Sequence, residues 1–303
     1  MNNGYATRPP SARRQRLRAA LAGPGPIVAP GVHDLISVRL AERAGFEALF
    51  MSGYGVVAAA LGLPDAGLAN GTDMLDRVRQ MAMVSEAALI CDADTGYGGL
   101  INVMHTVRGY ERAGAAAIQL EDQVYPKRCG HMRGRKVVPA AEMEARIKVA
   151  LDTREDAGTV IIARTDARTG LGLGLDETLR RAERYARAGA DVVFVEGPES
   201  RDEIRAFAGC MGVPLMVNMG HGARLPLMTP DELHELGARL VIYPTAALLA
   251  SAQACADAYG ALGEGRLPIG PCYPFADFSR LMGFDWVERF DARYRTLDEE
   301  GQA

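Results

Sequence analysis

Eight short apolar runs, separated by stretches of helical periodicity, limit this chain to very few folds. The runs span 27–31, 48–53, 88–94, 116–122, 160–167, 192–197, 214–219 and 240–244. Their near-continuous apolar character suits parallel strands covered on both faces, not half-solvated antiparallel ones. Amphipathic segments at 35–44, 74–87, 101–113, 140–156, 175–188 and 229–236 supply the crossover helices. Three of these end on the same stop, Ala44-Gly45, Ala113-Gly114 and Ala188-Gly189, where glycine takes a left-handed cap before the next strand. Strand–helix alternation with no break in composition predicts a single (β/α)8 TIM-type barrel of the α/β class. A doubly wound two-domain fold competes. It is disfavoured because no glycine-rich dinucleotide fingerprint follows the first run, and Gly96-Tyr97-Gly98-Gly99 lacks phosphate-loop spacing.

The barrel is assigned to 13–262, after a loose tail at 1–12 rich in Asn, Arg, Pro and Ser. Beyond 262 the chain changes character. Pro268, Pro271 and Pro274 punctuate a loop, and 276–294 read as one or two helices near Phe275, Phe278, Trp286 and Phe290. This cluster reads either as packing under the barrel or as a helical extension, 263–303, laid on a neighbouring subunit. Of the 303 residues 48% are hydrophobic, which supports a full core without disulfides. A formal net charge of -4 argues against nucleic acid or an anionic membrane as partner. Five scattered cysteines with no CxxC pair point to reduced thiols in a cytoplasm. No run reaches the length of a membrane span, and the first residues lack the apolar stretch of a secretory signal.

In such a barrel the C-terminal strand ends carry the chemistry. They hold Ser52; Asp92 and Asp94; Glu121 and Asp122; Arg164, Thr165 and Asp166; Glu196; Asn218; and Tyr243. Crowded carboxylates repel and raise one another's pKa unless a cation joins them, and oxygen donors suit Mg²⁺, with Mn²⁺ able to take its place. Zinc is disfavoured, because His33, His105 and His234 have no metal-ligand spacing. Arg164 reads either as an ion-pair partner of Asp166 or as a fork for a substrate carboxylate. Asp65, in Gly62-Leu63-Pro64-Asp65, reads as a turn acid or as a further site acid. The loop Tyr125-Pro126-Lys127-Arg128-Cys129-Gly130-His131 sets a thiol among basic residues, which favours thiolate and proton exchange near neutral pH. The plain alternative is a structural cysteine beside a solvated charge run.

Taken in order, Ser52-Gly53, Gly62-Leu63-Pro64-Asp65, Asp92-Ala93-Asp94-Thr95-Gly96-Tyr97-Gly98, Glu121-Asp122-Gln123, Lys127-Arg128-Cys129-Gly130-His131 and Ala163-Arg164-Thr165-Asp166-Ala167 resemble the isocitrate lyase/phosphoenolpyruvate mutase superfamily. The cysteine loop resembles its carbon–carbon lyase branch. Short length and Val241-Ile242-Tyr243-Pro244-Thr245-Ala246-Ala247 look closest to methylisocitrate lyase, 2,3-dimethylmalate lyase and oxaloacetate hydrolase. The resemblance implies a barrel whose last helices are exchanged between subunits in a dimer of dimers. It also implies Mg²⁺ held directly by Asp92 and through waters by Asp65, Asp94 and Glu121. Ser52, Gly53 and the Tyr54 backbone would cradle a 2-oxo acid carboxylate, and Arg164 would bridge both product halves. Glu196 and Asn218 would surround the second product, and Cys129, Gly130 and His131 would form a mobile gate.

The implied chemistry is retro-aldol cleavage of a 2-hydroxy di- or tricarboxylate to pyruvate or glyoxylate plus a second acid, with Cys129 protonating the departing carbon. Two departures from the family pattern stand out. Phe50 replaces a common tyrosine, and Met219-Gly220-His221-Gly222 replaces a Glu-Gly-Gly-like sequence, putting His221 at the substrate pocket in place of an acid. An oxaloacetate hydrolase and a carboxyphosphonoenolpyruvate phosphonomutase are the alternatives.

Overall fold

The computed structural model describes residues 8–130, 132, 134–170, 173–220, 225–267 and 270–300, the last five by backbone alone. His131 and His221 lie outside the described residues. The strands are β1 (Ile27–Val32), β2 (Ala48–Met51), β3 (Ala88–Asp92), β4 (Ala117–Glu121), β5 (Val160–Thr165), β6 (Val192–Val195), β7 (Leu215–Asn218) and β8 (Ala238–Tyr243). They pair in parallel, in chain order, and β8 closes on β1. Each of the eight apolar runs has become a strand of one closed barrel.

The helices from the N-terminus are α1 (Pro10–Ala22), α2 (Leu35–Arg43), α3 (Gly53–Leu61), α4 (Gly71–Val84), α5 (Leu100–Ala113) and α6 (Ala140–Thr153). Then come α7 (Gly174–Arg187), α8 (Arg201–Cys210), α9 (Pro230–Glu235), α10 (Ala246–Gly263), α11 (Phe275–Leu281) and α12 (Phe284–Glu300). Gly45, Gly114 and Gly189 take the left-handed backbone that the Ala-Gly stops predict. No described helix is long and apolar enough to cross a membrane.

Two apolar layers follow from strand alternation. Ala29, Phe50, Ile90, Ile162, Phe194, Met216 and Ile242 fill the barrel, while Leu49, Cys91, Ile118, Ile161, Val193 and Val241 face the helices. Leu17 of α1 joins the interior layer, so α1 belongs to the base of the barrel. It is held there by charge on carbonyls. Arg13 donates to the Ala82 and Ser85 carbonyls, and Arg14 to those of Glu111 and Ala115. Arg239 of β8 reaches back to the Ala20, Leu21 and Gly23 carbonyls at the end of α1. The helix therefore begins inside the segment read from sequence as a tail.

Arg8–Leu248 form one compact unit, and the chain from Leu249 onward belongs to another. The barrel unit thus ends inside α10, earlier than the sequence-based boundary at 262. Of the α10 residues only Ala261 is buried, so this helix lacks the apolar stripe of a barrel helix. Within the second unit the aromatic cluster forms two helices. Trp286, Phe290 and Tyr294 stack along α12, with ring centroids 5.0 and 4.7 Å apart.

Candidate active site

Continuing the interior alternation past the last apolar layer brings polar side chains to the mouth. Phe50 is followed by Ser52, Ile90 by Asp92, Ala117 by Gln119 and Glu121, Ile162 by Arg164, Phe194 by Glu196, and Met216 by Asn218. Asp122, Thr165 and Tyr243 have the opposite parity and turn toward the helices. Asp122 is fully buried there, accepting from Thr165 Oγ1, Tyr185 Oη and Arg181 Nη1, so it braces the shell and does not join the acids of the mouth.

On one side of the mouth, β2 runs straight into α3. The Ser52 side chain caps this helix by accepting from the Gly55 N–H at 3.2 Å. The first-turn amides of α3 have no partners within the helix, which makes this N-terminus a ready cradle for a carboxylate. The Tyr54 ring is partly exposed, and its backbone supplies one of those amides. Gly53 donates to Asp92 Oδ2 at 3.3 Å. A β-carbon at residue 53 would stand 2.6 Å from the same oxygen, which is why glycine is needed there.

Asp92 is also bonded by Gln119 Nε2 (3.2 Å) and by the Asp94 amide (3.1 Å), both at Oδ1. Gln119 went unnoticed in the sequence, although a polar residue inside an apolar strand was the available signal. Asp94 and Asp65 both meet the buried Lys127 ammonium, at 2.7 and 2.5 Å. The Lys127 charge is therefore matched by two carboxylates and is not spent on the thiol two residues away. Burial lifts the Asp94 carboxyl most, Lys127 pulls it back, and Asp92 and Asp65 raise it again, to about 7. Burial likewise pushes Glu121 well above the carboxylate range despite Arg164.

Opposite the acids, Arg164 makes a two-point contact with Asp166, Nε to Oδ2 at 2.9 Å and Nη2 to Oδ1 at 3.0 Å. It also lies 3.4 Å from Glu121 and 3.5 Å from Glu196, with its guanidinium 5.2 Å from the centre of the Phe194 ring. The Asp166 pairing read as one alternative from sequence is present, and Arg164 still faces the mouth.

The loop after β4 folds over this opening. Gln123 closes its near end, donating to the Arg128 carbonyl and accepting from the Arg128 amide. Cys129, half-buried, donates its amide to the Asp65 carbonyl at 3.1 Å. A β-carbon on Gly130 would lie 2.5 Å from Arg164 Nη2 and 3.0 Å from Glu196 Cδ, so the loop backbone rests directly on those side chains. Asp65, Asp92, Asp94, Glu121, Ser52, Gly53, Gly130, Arg164, Glu196 and Asn218 are thus assembled around one opening.

Among the described residues no three His, Cys, Asp or Glu side chains stand close enough to grip an ion by direct bonds alone. All the candidate donors are carboxylates, one of them already bridged to its neighbour by an ammonium, and buried Glu121 Oε1 has no hydrogen-bond partner. These features fit a hard divalent cation that keeps much of its water shell.

An acid-lined mouth on a parallel barrel, with a thiol-bearing loop lying over it, defines an enzyme site. Residues 17–262 match the family model described as phosphoenolpyruvate phosphomutase. The chain is 42% identical to 2,3-dimethylmalate lyase of Eubacterium barkeri, over 93% of this chain and 98% of that one. It is 37% identical to 2-methylisocitrate lyase of Bacillus subtilis (strain 168), over 82% of this chain and 81% of that one. A solved structure of oxaloacetate acetylhydrolase bound to 3,3-difluorooxalacetate superposes with a TM-score of 0.88 at 34% identity, covering 94% of this chain and 98% of that one. The chain belongs to the phosphoenolpyruvate mutase/isocitrate lyase superfamily, and the relatives it resembles include named lyases of that superfamily.

Proposed function

We propose that this enzyme cleaves the C2–C3 bond of a 2-hydroxy dicarboxylate of the alkylmalate class, releasing a 2-oxo acid and a second carboxylic acid. The observation that supports this reading is the close contact of Gly130, next to Cys129, with Arg164 and Glu196. The α3 amides with Ser52 bind the carboxylate of the 2-hydroxy acid half, and Arg164 holds the carboxylate of the departing half. Glu196 and Asn218 border that half. As the hydroxyl passes its proton to a water at the opening, its oxygen forms the new C=O and the C2–C3 electron pair moves onto the carbon alpha to the second carboxylate. Cys129 delivers a proton to that carbon, and the loop excludes bulk water meanwhile.

Asp92 would hold Mg²⁺ or Mn²⁺ directly, with Asp65, Asp94 and Glu121 behind its waters. Such an ion would polarise the hydroxyl and offset negative charge. Phe50, buried in the barrel, offers no hydroxyl beneath this site, which favours an alkylmalate over methylisocitrate as the substrate.

The experiment is an NMR screen with Mg²⁺ against alkylmalates, methylisocitrate, isocitrate and oxaloacetate, before and after exhaustive chelation. Metal-dependent release of a 2-oxo acid from an alkylmalate supports the reading. Oxalate and acetate from oxaloacetate alone would replace it with the hydrolase, and phosphonate turnover with the phosphonomutase. We also propose that a second copy covers the exposed apolar residues Tyr259, Leu267 and Phe275, giving a cytoplasmic dimer of dimers. A monomer mass by light scattering would refute that assembly.

A further inference from the structure

Outside the residues assigned above, one buried charge stands at the far end of the cysteine loop. Arg135 is almost fully buried, and its guanidinium is used at every nitrogen. Nη1 lies 2.5 Å from Asp166 Oδ1, Nη2 lies 2.5 Å from Thr169 Oγ1, and Nε donates to the Met132 carbonyl at 3.1 Å. Asp166 Oδ1 is the oxygen that also accepts from Arg164 Nη2. One carboxylate therefore joins two guanidiniums, one fixed on β5 and one carried by the loop. The stem beside Arg135 is stitched by Val124 to the Lys136 carbonyl and by Val138 to the Asp122 carbonyl.

We propose that Arg135 is a positioning residue that latches the Cys129 loop shut and, through Asp166, ties closure to the orientation of Arg164. The latch draws on geometry only arginine supplies. A planar fork can reach an acid and a hydroxyl at once while its Nε holds the loop backbone, and a lysine offers only a single charged point. When the loop lifts, Arg135 leaves with it, and among the described residues Asp166 keeps Arg164 as its guanidinium partner. The bond between Arg164 and Asp166 is then free to reorganise. Closure thereby sets the carboxylate fork at the same moment as it delivers the thiol. The effect on turnover rests on the lyase reading above, but the latch itself does not.

The test follows the thiol, not the reaction. The full-length protein and its Arg135→Lys and Thr169→Val variants are treated with iodoacetamide, and alkylation is followed cysteine by cysteine by mass spectrometry. Exposed Cys255 and Cys272 serve as internal references. With the latch weakened, Cys129 should be modified about tenfold faster relative to the references in Arg135→Lys, and about threefold faster in Thr169→Val. A general loosening of the fold would speed buried Cys91 as well, so acceleration confined to Cys129 is the supporting result. Unchanged Cys129 rates in the folded variants overturn the latch, as does acceleration shared with Cys91. If Arg135→Lys does not fold, Thr169→Val decides alone. Labelling needs no substrate, so failure of the lyase reading and failure of the latch are separately visible.

Discussion

Replacing Gly53 with alanine separates folding from ion binding at this site. The added carbon would stand 2.6 Å from Asp92 Oδ2 and 3.2 Å from Cγ, whereas ordinary contact begins near 3.4 Å. The carboxylate must therefore yield by 0.8 Å, the difference between 3.4 and 2.6 Å. It has little room, since Oδ1 is pinned by Gln119 and by the Asp94 amide. Turning Oδ2 away breaks its bond from the Gly53 amide and moves the one oxygen aimed at the α3 N-terminus. Loss of such a supporting contact costs about ten- to a hundredfold in metal affinity.

Stability pulls the other way. Gly53 has no left-handed backbone, so alanine gains about 0.5 kcal/mol of unfolded-state entropy, which partly offsets the strain. Gly53→Ala should melt within about 2 °C of the parent while binding Mn²⁺ at least about tenfold more weakly. Titration of Mn²⁺ followed by electron paramagnetic resonance, beside a thermal melt, reads both quantities. Equal Mn²⁺ affinity in a folded Gly53→Ala protein would refute Asp92 as the direct ligand.

Asp166→Asn tests the buried charge network through pH. Burial raises the Asp166 carboxyl, but Arg164 and Arg135 outweigh it and hold the group below its ordinary value. A depressed acid stabilises the fold fully above the unfolded value of about 3.9 and loses that contribution as pH falls through the folded value. Urea unfolding should show the variant weaker by about 3 kcal/mol or more at pH 7, with the gap closing below about pH 4. A gap that stays constant down to pH 3 would contradict the assignment. Cys129→Ser should keep Mn²⁺ affinity unchanged while turnover of the cognate 2-hydroxy acid falls by about 10²–10⁴. Full turnover in that variant would remove Cys129 as the proton donor.

The barrel was legible because parallel strands buried on both faces leave near-continuous apolar runs, and glycine stops separate each helix from the next strand. Four helices were not. α1 does not read as a helix, and its first turn falls in the 1–12 tail, because its buried guanidiniums are satisfied by carbonyls from distant segments, which no local periodicity signals. The apolar α3 has no polar face to mark a helical period, α8 is short, and α10 has no buried stripe. At the site, alternation alone orders Ser52, Asp92, Glu121, Arg164, Glu196 and Asn218 toward the mouth and sends Asp122 outward. What could not be read were the long cations. Lys127 and Arg135 find their acids only through the path of a loop, and that path depends on tertiary contacts such as Gly130 on Arg164.

The clasp of Arg239 on α1 also bears on how this chain is made. α1 is synthesised well before β8, and the guanidinium that grips its final carbonyls is translated 216 to 219 residues later. Through that interval the end of the helix has only its own Gly23 amide on the Ala20 carbonyl. A polypeptide that stops short of Arg239 leaves the end of α1 without that clasp, with the Leu21 and Gly23 carbonyls open to solvent.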